Sequence, residues 1–192
     1  MKTHVSMVCK KANFHLYNIG KIRSYIDLDT TKMLINAFVM SSLDYCNSLL
    51  YSLPKTLVCQ LQKIQNKAAR IVSLTRAADH ITPYLKQLHW LPVNQRIMFK
   101  INTITFNCLN DPLAPSYLSD LIKQYVPSRS LRSSHKNQLV CPVQKSKFGE
   151  RAFVYAAPKE WNKLPLEVQN SPNLAVFKRR LKTLFFTQTF EQ

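Results

Sequence analysis

Apolar residues fall at helical spacing along most of the first two thirds of the chain. The cleanest stretch is "KTLVCQLQKIQNKAARIV", where Leu57, Leu61, Ile64, Ala68 and Ile71 step by four, three, four and three positions. One stripe of a helical period follows, and Pro54 stands where a first helical residue belongs, so a helix is predicted over 54–74. Upstream, residues 5–26 read as a basic helix of mixed pattern. Asp27 or Asp29 then caps a long helix whose Met33, Leu34, Phe38, Leu43, Tyr45, Leu49 and Leu50 lie almost all around the axis. Such a helix is expected at the centre, covered by its neighbours on most sides.

Downstream, a short helix over 83–89 is stopped by Pro92. Asp79 before His80 is expected to cap its start, and His89 to be a half-buried polar tip. In the joint "LKQLHWLPVNQRIMFKI" Trp90 reads as a packing plug and Pro92 as the turn into the next helix. There Val93, Ile97, Ile101, Ile104 and Cys108 resume the period, and Pro115 opens a further short helix.

The pattern changes at Pro127. A basic, serine-rich loop precedes two short strands, "QLVCPV" and "RAFVYAA", joined through "QKSKFGE" as a β-hairpin with Gly149 near its turn. Ser171 as N-cap with Pro172 behind it begins a last helix, on which Leu174, Phe177, Leu181, Leu184 and Phe185 form one stripe. Trp161 and Pro165 are expected to be structural. The predicted architecture is mainly α: a helical bundle over 1–126, then a small α+β tail over 127–192 with the hairpin and a C-terminal helix.

Composition narrows the chemistry. With 46% hydrophobic and 19% charged residues the chain is globular, and no apolar run approaches the roughly 18 residues of a membrane span. Only two glycines occur, Gly20 and Gly149, which disfavours turn-rich all-β folds and excludes glycine-rich phosphate loops. The five cysteines, odd in number and without a C-x-x-C pair, are expected to be small core residues rather than disulfides or zinc ligands. The acids are scattered, and neither a nucleophile and base nor a metal set is suggested, so no catalytic residue, metal or cofactor is expected. The first residues lack the apolar block of a signal peptide and no Asn-x-Ser/Thr sequon occurs, which points to an intracellular setting, nucleus or cytoplasm left open.

Charge points to a partner. Against 10 acids stand 27 Lys and Arg, a formal net charge of +17, which calls for a polyanion, nucleic acid first. Lys63, Lys67 and Arg70 form one ladder on the 54–74 helix, with no acid between Pro54 and Ala78. Further clusters are Arg129, Arg132 and Lys136 with Lys145, Lys147 and Arg151, and Lys178, Arg179 and Lys182 with Arg180. Contacts of this kind position a phosphate backbone without reading sequence. Tyr125, Phe148 and Trp161 stand near the clusters and could stack on bases, although core packing is their expected role.

The blocks "IGKIRSYIDLD", "LINAFVMSSLDYCNSLLYSLP", "LQKIQNKAARIV", "DHITPYLKQLHWLPVNQRIMFKI", "LAPSYLSDL", "RSLRSS" and "FGERAFVYAAPKEWNKLP" follow one another in an order that resembles the region behind the polymerase domain of jockey-like non-LTR retrotransposon reverse transcriptases. The resemblance runs over residues 10–186. It implies a piece of an RNA-directed DNA polymerase, with residues 10–75 matching the thumb that grips template-primer. The family's F/Y-x-D-D aspartates have no counterpart here, so the implied fragment binds nucleic acid, RNA or DNA, without polymerase activity. Its other implied partner is the missing polymerase domain. An alternative is a structural or protein-interaction remnant, in which the apolar faces of the 54–74 and 172–186 helices docked on that domain. Relatives of this kind usually have glycine at the position of Ser52 and Asn-Gly where this chain has Asn110-Asp111. Losing glycine at a left-handed turn position carries a conformational cost.

Overall fold

A computed structural model describes residues 1–126 and 137–191. They are mainly helical, with no strand among them. Two compact units result: Met1–Arg96 with Phe186–Gln192, and Ile97–Phe185.

In the first unit, α1 (Lys2–Ile22) buries Val5, Ala12, Leu16 and Ile19 and packs on α4 (Lys55–Ser73). Of the predicted α4 stripe, Leu61, Ile64 and Ala68 are buried, while Leu57 and Ile71 are half-buried. Between these helices lie α2 (Leu28–Ile35) and α3 (Ser41–Asp44), joined by a π-helical turn, Asn36–Met40. Asp27 is the N-cap of α2, its Oδ1 accepting from Thr30 N at 2.6 Å. This segment is not covered on most sides as expected. Ile35, Val39, Met40 and Leu43 are buried, but Met33, Phe38, Tyr45 and Leu49 are exposed. It packs mainly on α1 and α4, and its exposed side carries an aromatic group in which His15 stacks on Phe38 at 5.1 Å beside Phe14.

The joint around Trp90 is held by backbone and by two glutamines. At the end of α5 (Thr82–Gln87), His89 N donates to Lys86 O and Trp90 N to Leu85 O, a Schellman closure with His89 at φ 53°. His89 is therefore exposed rather than half-buried, its ring 5.4 Å from that of Phe186. Trp90 and Leu91 are buried and Pro92 is half-buried. From α4, Gln65 Nε2 donates to Leu91 O at 2.9 Å, and Gln62 Oε1 accepts from Val93 N at 2.9 Å, fixing the start of α6 (Val93–Asn110). Gln62 Nε2 in turn donates to Gln65 Oε1 and Asn66 Oδ1. Arg96 grips the Asp44 carboxylate with Nε and Nη2. Asp79 does not cap α5. Its Oδ2 accepts from Arg76 N at 2.9 Å, closing a local turn before a helix start that carries no side-chain cap.

In the second unit, Phe106 on α6 stacks on Phe177 at 4.4 Å, and Trp161 lies 5.8 Å from Phe177. Ile101, Leu181 and Phe185 are buried in the same unit. The short helices α7 (Ser116–Ser119) and α9 (Leu166–Gln169) flank α8 (Phe153–Trp161) in sequence, and α10 (Leu174–Phe190) follows. The predicted hairpin does not form. Its second strand, "RAFVYAA", is the start of α8, whose Ala156, Ala157, Glu160 and Trp161 are buried at helical spacing. A window that ends at Ala157, just before Pro158, shows the β-forming Phe153, Val154 and Tyr155 but hides that period.

The first predicted strand is extended without entering a sheet. Tyr125 N donates to Gln138 O and Val140 N to Lys123 O, an isolated bridge centred on Gln124 and Leu139. On its other side the Asn162 amide acts as a substitute strand, accepting from Leu139 N and donating to Leu139 O, both at 2.9 Å. Ser171 is not the cap of α10: its hydroxyl donates to Val168 O, and Asn173 Oδ1 accepts from Val176 N at 2.9 Å instead. The cysteines are not core residues either. Cys46, Cys59 and Cys141 are exposed, and Cys9 and Cys108 are half-buried, where desolvation pushes their thiols up.

Candidate nucleic-acid interface

The α4 ladder lies on the solvent side of the first unit because the opposite side of the helix holds Leu61, Ile64 and Ala68. Lys63 and Lys67, one turn apart, are exposed. Lys67 Nζ donates to Asn13 Oδ1 of α1 at 3.3 Å. Arg70 is half-buried, and its Nε and Nη2 donate to the carbonyls of Arg76 and Asp79, tying down the loop after α4. The sequence pattern presented three equivalent cations. Their geometry differs, with two outward lysines and an arginine that also holds backbone.

Arg23 joins this group from the far end of α1. It donates to Ile71 O and Val72 O at 3.1 and 3.2 Å, and to Ile26 O at 3.0 Å. A guanidinium against the last carbonyls of α4 complements the negative end of that helix. Gly20, Arg23, Ser24, Lys67, Arg70 and Thr75 line one shallow depression. Sequence reasoning missed Arg23 because nothing in its own segment shows that α1 ends beside the end of α4.

In the second unit, Phe177, Leu181 and Phe185 of α10 are buried, so Lys178, Arg179 and Lys182 fall on its exposed side. Lys178 and Lys182 are one turn apart and face the same way. Arg180 bends to the backbone, Nη1 donating to Glu167 O at 2.6 Å. Arg179, Arg180, Glu167 and Pro165 line a second depression. Pro165 starts α9, its carbonyl accepting from Val168 N and Gln169 N. Lys145 and Lys147 are exposed and Arg151 is half-buried. The Arg129, Arg132 and Lys136 cluster lies outside the described residues.

Of the three aromatic residues near the clusters, Trp161 is 1% exposed and its Nε1 donates to Asn137 O at 2.9 Å, so it is a core residue. Tyr125 and Phe148 are exposed, against the expectation of core packing. Among the described residues no group of three His, Cys, Asp or Glu side chains is placed to hold a metal ion. No helix among them is long and apolar enough to cross a membrane. Comparison with protein-family models, curated proteins and solved structures finds no match.

Proposed function

We propose that this chain is a helical piece of the region behind the palm of a jockey-like non-LTR retrotransposon reverse transcriptase, and that it holds nucleic acid by the phosphate backbone without polymerase chemistry of its own. The observation that carries the binding half is the presentation of its cations. Lys63, Lys67, Lys178, Arg179 and Lys182 all stand exposed on helices whose other sides are buried. The ion pairs of Lys32 with Asp29, Arg96 with Asp44 and Lys163 with Glu160 engage none of them. Exposed charge of one sign releases condensed counterions when it meets phosphates, and binding of this kind is nonspecific in sequence.

The family half rests on the order of the sequence blocks and gains support at one backbone position. Ser52, where relatives of that kind usually carry glycine, has φ 54°. Of the surfaces that the interaction alternative names, Leu61, Ile64 and Ala68 of α4 and Phe177, Leu181 and Phe185 of α10 are buried, which favours the binding reading over it. A gel-shift assay with primer-template duplex tests the binding half. Retention is expected at about 50 mM salt and loss by about 200 mM. Absence of retention at the lower salt rejects the reading.

A further inference from the structure

The stretch leading into α8 holds an aromatic ring outward in a cationic setting. Phe148 is 82% exposed. Lys145 and Lys147 precede it, both exposed, and Arg151 follows one turn later. A phenyl ring left in water forgoes the stabilisation that burial would give, and what sets this one apart from other exposed apolar side chains is its place on a hydrogen-bonded turn beside two exposed lysines. Four hydrogen bonds form the turn. Ser146 Oγ accepts from Gly149 N at 3.0 Å and Ser146 O from Glu150 N at 3.2 Å. Phe148 O accepts from Arg151 N at 3.2 Å, and Gly149 O from Ala152 N at 3.0 Å. The acid of the turn, Glu150, lies near enough to Lys159 to act on its ammonium.

We propose that this turn binds single-stranded nucleic acid, Phe148 stacking on an unpaired base while Lys145 and Lys147 meet neighbouring phosphates. Every base offers a π-face, and in a duplex those faces are covered by the neighbouring pairs, so only an unpaired base can accept the ring. Phenylalanine has no hydrogen-bonding group, so the contact selects strandedness and not sequence. This rests on the backbone-binding reading and adds a preference that phosphate contacts alone do not give.

Fluorescence anisotropy of the full chain, with labelled single strands of about 15 nucleotides and a hairpin duplex of the same composition, tests it. Phe148→Ala is expected to weaken single-strand binding roughly 5- to 100-fold at fixed salt while leaving duplex binding unchanged. The same loss is expected with ribose and deoxyribose strands, because stacking uses no 2′-hydroxyl. Phe148→Trp is expected to keep the affinity, and its indole emission to be quenched on adding single strand; the native Trp90 and Trp161 are both buried. The side chain is exposed, so neither variant disturbs the core. Duplex binding with no effect of Phe148→Ala on single strands overturns the stacking site alone. Failure to bind either nucleic acid at low salt overturns the backbone reading beneath it.

Discussion

Among the described residues four other than glycine, Cys46, Ser52, Leu74 and His89, adopt positive φ, whereas neither glycine of the chain does. The left-handed region places Cβ against the following carbonyl, about 1–2 kcal/mol for most L-residues. Leu74 sits there just past the end of α4, with Thr75 N donating to Arg70 O as the closing bond, and its side chain is exposed. Leu74→Gly is therefore expected to raise stability by about 0.5–1 kcal/mol, and Ser52→Gly to act in the same direction. A lower urea midpoint for Leu74→Gly would contradict this.

The positive φ at Ser52 falls where the resemblance suggests a glycine. At Asn110-Asp111, the other position where the resemblance suggests one, neither residue has positive φ, and Asp111 Oδ1 accepts from Leu113 N in a local turn open to any L-residue. Asp27 illustrates a titrating cap. Hydrogen bonds from Thr30, backbone first, hold its carboxyl below the ordinary range. A lowered folded pKa gives stability that is present above the unfolded pKa and is lost as pH falls through the folded one. Asp27→Asn keeps a cap oxygen, so thermal melts between pH 7 and pH 2 should show a smaller acid loss for the variant than for the native chain; equal losses would sink the assignment.

At the scale of elements, the amphipathic helices were the most readable part. α4 and α10 bury the centres of their predicted stripes, because a run of four or five apolar positions at helical spacing leaves little choice of period. α8 was not readable, since its helical spacing depends on residues beyond Pro158 and its first turn is rich in β-forming side chains. The joint at Trp90 was readable as a stop and a plug. What holds it was not, because Gln62 and Gln65 read as polar positions on a helix rather than as donors and acceptors for a backbone 26 to 31 residues away. Gln65 is fully buried and its amide links Leu91 O to the Gln62 side chain. Gln65→Leu keeps the volume and leaves the Leu91 carbonyl unsatisfied. It should destabilise the chain by about 2 kcal/mol in urea unfolding, while Gln60→Leu on the exposed side changes little. Equal effects of the two substitutions would contradict the clamp.

For the whole molecule, net charge suggests a polyanion, but placement decides which cations would be available to the nucleic acid we propose. Arg23, Arg70 and Arg180 are drawn onto backbone carbonyls, whereas Lys63, Lys178, Arg179 and Lys182 point outward. The pattern along the sequence could not separate these roles, because two of the three carbonyls that capture Arg23 belong to residues 48 and 49 positions away. The measurement that tests the central claim most directly is the salt dependence of duplex affinity for the native chain and for a Lys63→Ala, Lys67→Ala, Lys178→Ala, Lys182→Ala variant. For the native chain a linear fall of log affinity with log salt is predicted, with the slope of about six to ten phosphate contacts. The variant should keep its melting temperature, since the four side chains are exposed, and should lose roughly 0.9 of slope for each lysine that meets a phosphate. A slope near zero in the native chain, or one that the four substitutions leave unchanged, would contradict the account.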